Sequence, residues 1–176
     1  MRSVLSIAIL VAVVSAQLAA EMPKQSSGTI SATDMTSTRL LQATLSPVLR
    51  DAARIFSGTV LKVEHRNSDS SSAIASTSIR FRVDQAIRNV RHGQIVEVKE
   101  WGGLWQSGEH YHPGERVLLF LYPPSKLGLT SPVGHRSGSF PVNSAGNVLL
   151  RTGVTSPPRP VAMRRVLAAI RQAEKE

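Results

Sequence analysis

Between Ser78 and Asp84 the chain runs Ser-Ile-Arg-Phe-Arg-Val-Asp, with apolar side chains at Ile79, Phe81 and Val83 and polar ones at Ser78, Arg80, Arg82 and Asp84. A period of two puts alternate side chains on opposite sides of an extended backbone, so this stretch must be a strand with one wet face. Ala86 and Ile87 extend it, and Arg91-His92-Gly93 turns the chain. Ile95 to Trp101 then forms a second strand, with Val96 and Val98 on one face and Glu97, Lys99 and Trp101 on the other. Val117-Leu118-Leu119-Phe120-Leu121-Tyr122 is different, being apolar at both parities. It reads as a strand buried on both faces and stopped by Pro123-Pro124.

The remaining segments fit the same class. Ile55 to Val63 is an earlier strand in which Gly58 marks a bulge or bend. A polar loop, residues 66–76, separates it from the alternating strand. Phe140-Pro141-Val142 and Val148-Leu149-Leu150 flank the turn Asn143-Ser144-Ala145-Gly146 as a short hairpin. Helices are expected only at the ends. Ser46-Pro47 has the form of an N-cap followed by Pro at the first helical position, opening a short helix through Leu49, Ala52 and Ala53. Pro160 opens a final helix whose Met163, Val166, Leu167 and Ile170 share a face.

The pattern excludes a helical bundle and lacks the strand–helix alternation of a doubly wound sheet. It predicts a mainly β fold: a small five-stranded OB-like barrel with a short N-terminal helix and a C-terminal amphipathic helix, an open sandwich being the alternative. The barrel domain is expected over 46–156 and the last helix over 157–176. Ahead of them, Arg2 followed by apolar Val4 to Val14 and then Val14-Ser15-Ala16 has the layout of a signal peptide over 1–16, with Ala20 as a second cleavage point. That apolar stretch is too short for a spanning helix, which needs roughly 20 residues. Residues 17–45, rich in Ser and Thr, read as a flexible leader. A secreted or periplasmic protein with no transmembrane span after cleavage is the expectation.

An exported chain of 176 residues with no Cys cannot use disulfides, thiolate metal sites or cysteine nucleophiles. Its length supports one domain stabilised by packing alone.

The order Ile55-Phe56-Ser57-Gly58-Thr59-Val60, then Ile79-Arg80-Phe81-Arg82-Val83-Asp84-Gln85-Ala86-Ile87, then Gly114-Glu115-Arg116-Val117-Leu118-Leu119-Phe120-Leu121 resembles the netrin-like domain, whose superfamily includes the tissue inhibitors of metalloproteinases. The likeness covers residues 52–122 and implies an OB-type barrel that acts by binding, with modulation of a secreted protease as a further implied role. The animal inhibitors chelate the protease zinc through an N-terminal cysteine; this chain has none, so that mechanism does not carry over. The run Pro123 to Leu129 and the Gly138 to Val142 hairpin also resemble segments of secreted bacterial proteins, a likeness that implies export and no particular activity.

Charge is unevenly placed. Residues 17–115 hold eleven Lys/Arg and ten Asp/Glu, whereas residues 116–173 hold eight Lys/Arg and no acid. Within that basic third, Arg151, Arg159, Arg164, Arg165 and Arg171 are candidate contacts for an anionic polymer or membrane surface. The rival expectation is a solvated face that keeps an exported protein soluble. OB-type barrels bind oligonucleotides and oligosaccharides, but export argues against nucleic acid as the natural ligand.

Trp101, Trp105 and Tyr111 are candidate partner-binding residues, because an exposed aromatic can stack on a sugar ring or a partner's side chain. The alternative folds the aromatic loop over a barrel end as a plug. His110 and His112 beside Glu109 and Glu115 lack a third ligand at a fixed spacing, so no metal is expected. No Gly-x-Ser-x-Gly, His-Glu-x-x-His or phosphate-binding Gly loop is present, and no catalytic residue or cofactor is expected. The sequence therefore predicts an exported, non-catalytic module that recognises a protein or cell-envelope partner.

Overall fold

The computed structural model describes residues 32–67, 74–106, 110–151 and 157–175, and their side chains except those of 32–37, 105 and 106. The expected signal peptide, and the leader as far as residue 31, lie outside the described residues. Helix α1 (Ala32–Asp51) is followed by strands β1 (Arg54–Arg66), β2 (Ser76–Arg88) and β3 (Ile95–Trp101). A short helix α2 (Gly102–Gln106) then leads toward β4 (Arg116–Leu121) and β5 (Ser139–Pro141). Strands β6 (Asn147–Leu150) and β7 (Arg159–Ala162) precede helix α3 (Met163–Ala173). The protein is mainly β, built on a five-stranded antiparallel sheet in the order β3-β2-β1-β4-β5 and a two-stranded sheet of β6 and β7.

The alternation in β2 is realised as read. Ile79, Phe81 and Val83 are buried while Arg80 and Arg82 are exposed. Val96 and Val98 on β3 pair beside Phe81 and Ile79 and extend the same apolar face. Strand β1 bends as it crosses the sheet, its pairing with β2 slipping at Ile55/Phe56, Ser57/Gly58 and Val60/Lys62. Gly58 stands at the middle slip because a Cβ there would lie 2.7 Å from the Arg82 carbonyl oxygen. Only a residue without a side chain permits that approach of two strands.

Those bends matter because the sheet has two cores. Phe56, Val60, Ile79, Phe81, Val83, Val96, Val98, Val117, Leu119 and Leu121 form one, drawn from β1 to β4 and joined by Tyr111. With the sheet itself supplying almost every partner, this face must curl inward to exclude water. The opposite face of β1 and β4 buries Ile55, Leu118 and Phe120 against α1, α3 and the β6–β7 pair. Strand β4 thus feeds both cores with alternate residues, which is why it is apolar at both parities.

The curling does not produce a closed barrel. Strand β4 continues its outer pairing through the Leu121–Pro132 bridge and the Val133 N–H bond to the Phe120 carbonyl. The same segment reaches β3 through a 2.8 Å bond from the Thr130 N–H to the Lys99 carbonyl. Strands β3 and β5 are not paired with one another.

Three other expectations are corrected. Helix α1 does not begin at Ser46-Pro47; it starts at Ala32 and carries both residues inside it. Leu41, Leu45, Val48, Leu49 and Ala52 recur at three- and four-residue spacing and pack on the outer core, so part of the Ser/Thr-rich leader is helical. Inside that helix, Thr44 and Ser46 turn their hydroxyls back to the Leu40 and Gln42 carbonyls. Pro160 does not open the last helix either. It sits in β7 opposite Leu149, where a strand with a free edge tolerates a missing N–H, and α3 starts at Met163. Finally, the expected hairpin is reduced to its Asn143–Gly146 turn and a Val142–Val148 bridge, with β5 pairing to β4 and β6 to β7.

Candidate functional site

A cleft of about 730 Å³ opens where the 110–117 segment, the turn before β5 and the start of the β6–β7 connection meet. Val117, Phe140, Pro141 and Leu149 give it apolar walls, and Arg136, Arg151 and His110 supply its basic lining. Phe140 is held by an edge-on contact with Phe120, ring centroids 5.7 Å apart, which anchors the floor in the outer core. Thr44 of α1, Ser137 and Ser139 add hydroxyls. Glu115, the only carboxylate among the described residues lining the cleft, accepts the His112 backbone N–H at 3.0 Å and is 3.8 Å from His112 Nδ1.

Arg136 reaches this position because of the Val133–Gly138 turn. Gly134 and His135 both adopt positive φ, and a Cβ on Gly138 would fall 2.6 Å from backbone atoms of Val133. The sequence reading did not single out Arg136. Its signal was the pair of glycines bracketing Gly134-His135-Arg136-Ser137-Gly138, which marks a tight turn that projects its middle residues.

Of the candidate aromatic residues, Trp101 and Tyr111 line different cavities. Trp101 is 58% exposed at the end of β3, as the parity of that strand required. Tyr111 is only 5% exposed and meets Phe81 edge-on in the inner core, while its remaining surface lines the cleft beside Val117 and Phe140. Its position follows from the curled sheet, which needs a cap at that end. The side chain of Trp105 lies outside the described ones, although its backbone belongs to α2. Trp101 instead lines a separate groove of about 390 Å³ with Leu104, Tyr122, Leu129 and three hydroxyl residues.

The predicted arginines divide into two groups. Arg151 lines the cleft, and Arg159, paired opposite Leu150, stands at the same end of the β6–β7 sheet. Arg164, Arg165 and Arg171 are exposed on α3, and seven-residue spacing puts Arg164 and Arg171 on one helix face. Arg116 is engaged elsewhere: with Arg82 and Thr59 it surrounds Asp84, at 3.6, 3.6 and 2.7 Å.

Asp84 and Glu100 lie on opposite faces of the sheet and cannot act as an acid–base pair. Asp84 is on the wet face with those arginines, whereas Glu100 is 2% exposed on the inward face. Glu100 pairs in register with buried Thr77, whose hydroxyl is 3.1 Å from His65 Nδ1. On the outer surface, a hydrogen bond and the positive charge of Lys62 hold the Glu64 carboxyl below the usual carboxylate range. Among the described residues no group of three metal-ligating side chains occurs, and no helix is long and apolar enough to cross a membrane.

No protein family, curated protein or solved structure matches this chain.

Proposed function

We propose that this chain is an exported, non-catalytic binding module of the netrin-like type that seats an acidic cell-envelope partner in the cleft beside Arg136 and Arg151. The cleft carries the reading. Its volume, about 730 Å³, lies within the range of ligand sites, and it combines apolar walls with two guanidinium groups. Guanidinium forks engage carboxylate or phosphate oxygens in pairs, which favours an acidic segment over a neutral one. Arg159 adds a third cation at the same end, and the acid-free stretch 116–173 biases the long-range field the same way.

The sheet order supports the OB-like part of this reading. An order of β3-β2-β1-β4-β5, with β1 bent by bulges and Thr130 tied to Lys99, fits a small Greek-key barrel left partly open at its last seam. Export rests on the apolar stretch Val4 to Val14 and the small residues after it.

The test is retention of the purified chain on a carboxylate polymer such as polygalacturonate across a salt series. Retention is expected at low salt and lost near ~1 M, where the Debye length falls to about 3 Å. Arg136→Ala with Arg151→Ala should weaken retention and flatten its salt dependence, while Arg164→Ala with Arg171→Ala should leave both nearly unchanged. The reverse pattern would move the binding surface to α3 and overturn the assignment to the cleft.

A further inference from the structure

The groove beside Trp101 has a chemistry distinct from that of the cleft. It is lined by two aromatic side chains, Trp101 and Tyr122, by Leu104, Pro123 and Leu129, and by the hydroxyl residues Ser125, Thr130 and Ser131, and among the described residues none that lines it is charged. A charged ligand would find no counter-ion among these side chains, so the wall favours a neutral occupant.

Both walls of the groove are fixed before any ligand arrives. Trp101 ends β3 in register with Ser76, and the next N–H, that of Gly102, donates to the Ala75 carbonyl at 2.8 Å. The indole lies over Gly103, where a Cβ would come within 2.2 Å of the ring. One part of the ring thus rests on glycine while the side chain stays 58% exposed. On the other wall, the Tyr122 N–H donates to the Ser131 carbonyl, and Thr130 Oγ1 donates to the Tyr122 carbonyl at 2.7 Å. The Thr130 N–H to Lys99 carbonyl bond ties this wall to the strand that carries Trp101. An aromatic platform immobilised in this way loses little freedom on binding.

Hydroxyl chemistry narrows the ligand class. Thr130 Oγ1 spends its proton on Tyr122, so its lone pairs are left to accept. Ser125 Oγ accepts from the Leu129 N–H, which leaves its proton to donate. A ligand that offers a flat apolar face to the rings, with donors and acceptors along its edge, matches both features. A pyranose ring has that form. A proline-rich segment offers apolar rings but no donor from its prolines, and would leave the Thr130 acceptor unmet.

We propose that Trp101 and Tyr122 form a stacking site for a neutral hexopyranose of an oligosaccharide. This site is independent of the acidic-partner cleft and is insensitive to salt. The test titrates the purified chain with chito-, cello- and malto-oligosaccharides, following intrinsic fluorescence and calorimetric heat. At least one series should bind saturably, with affinity unchanged between ~0.05 and ~1 M salt. Trp101→Ala should weaken binding about ten-fold, the scale of one aromatic stacking contact. Trp101→Phe should retain most of the affinity. Gly103→Ala, which displaces the indole without removing it, should weaken binding while the circular dichroism spectrum is preserved. Arg136→Ala with Arg151→Ala should leave sugar affinity unchanged, so failure of the cleft reading and failure of this one are separable. Absence of saturable binding in all three series, equal affinity in Trp101→Ala, or binding of a proline-rich peptide in place of every sugar would each overturn the proposal.

Discussion

Arg88, near the end of the long β2 strand, is paired with Glu174, the residue that follows α3, with Nη2 and Oε1 2.7 Å apart. The same guanidinium donates from Nη1 to the Leu49 and Ala52 carbonyls at 3.0 and 2.7 Å, capping the end of α1. One side chain therefore joins both helices to the sheet. The three attachments lie 36 to 86 residues away in sequence, so no local preference provides them.

Replacing Arg88 by Ala should cost about 2–3 kcal/mol, the scale of losing charge-assisted bonds to partly buried carbonyls and a carboxylate. Urea denaturation would read the loss. Arg88→Lys should recover less than half of it, because an ammonium cannot address two helix ends in one plane. Equal stability of Arg88→Ala and the parent would show that the helices hold to the sheet by apolar contact alone.

Gly58 and its neighbour Ser57 should respond in opposite directions. Gly58→Ala forces a methyl to within 2.7 Å of the Arg82 carbonyl, and a loss of about 2 kcal/mol or more is expected from the resulting strand displacement. The β1–β2 amides near the bulge should then exchange faster with solvent.

Ser57 is fully buried, and its hydroxyl has no hydrogen-bond partner among the described residues. Ser57→Ala removes the unmet group while keeping nearly the same volume, so stability should rise by roughly 1 kcal/mol. Differential scanning calorimetry would show a higher Tm. A lower Tm would mean that the hydroxyl is bonded in solution.

Tyr111 serves the inner core and the wall of the cleft at once, and its energetic weight lies in the core. Its hydroxyl is 3.4 Å from Ser139 Oγ, a long bond, whereas its ring packs on Phe81. Tyr111→Phe should change stability by less than about 1 kcal/mol, and Tyr111→Ala should cost about 3–5 kcal/mol. Guanidinium unfolding of the two variants tests this, and a small loss in Tyr111→Ala would place that weight outside the core.

At Glu64 the pH effect has a definite sign. The Lys62 contact lowers its folded-state pKa, so its small contribution is present above the unfolded value and disappears as pH falls through the folded one. The carboxyl resonance of Glu64 should titrate at lower pH than that of an unpaired surface Glu, and Lys62→Ala should return it to the ordinary range.

Much of this molecule was written locally. The alternation of Ile79, Phe81 and Val83, the parity that exposes Trp101, the double burial of Val117 to Leu121 and the bulge at Gly58 are all single-strand properties, and each appears where the residues place it. A strand's two faces are set by backbone geometry, which the sequence encodes directly. What the sequence alone did not decide was which elements share a surface. Pro160 became a strand residue because β6 was there to pair with it, and Ser46 became helical because Leu45, Val48 and Leu49 found a core to bury in. Arg136 entered the cleft through a glycine-bracketed turn, and Tyr111 came to lie between that cleft and the inner core because the curled sheet needed a cap. These outcomes depend on contacts between residues distant in the chain, where burial free energy outweighs local preference. The charge asymmetry was legible as composition, but its division between a cleft and a helix face exists only once the strands and helices have met.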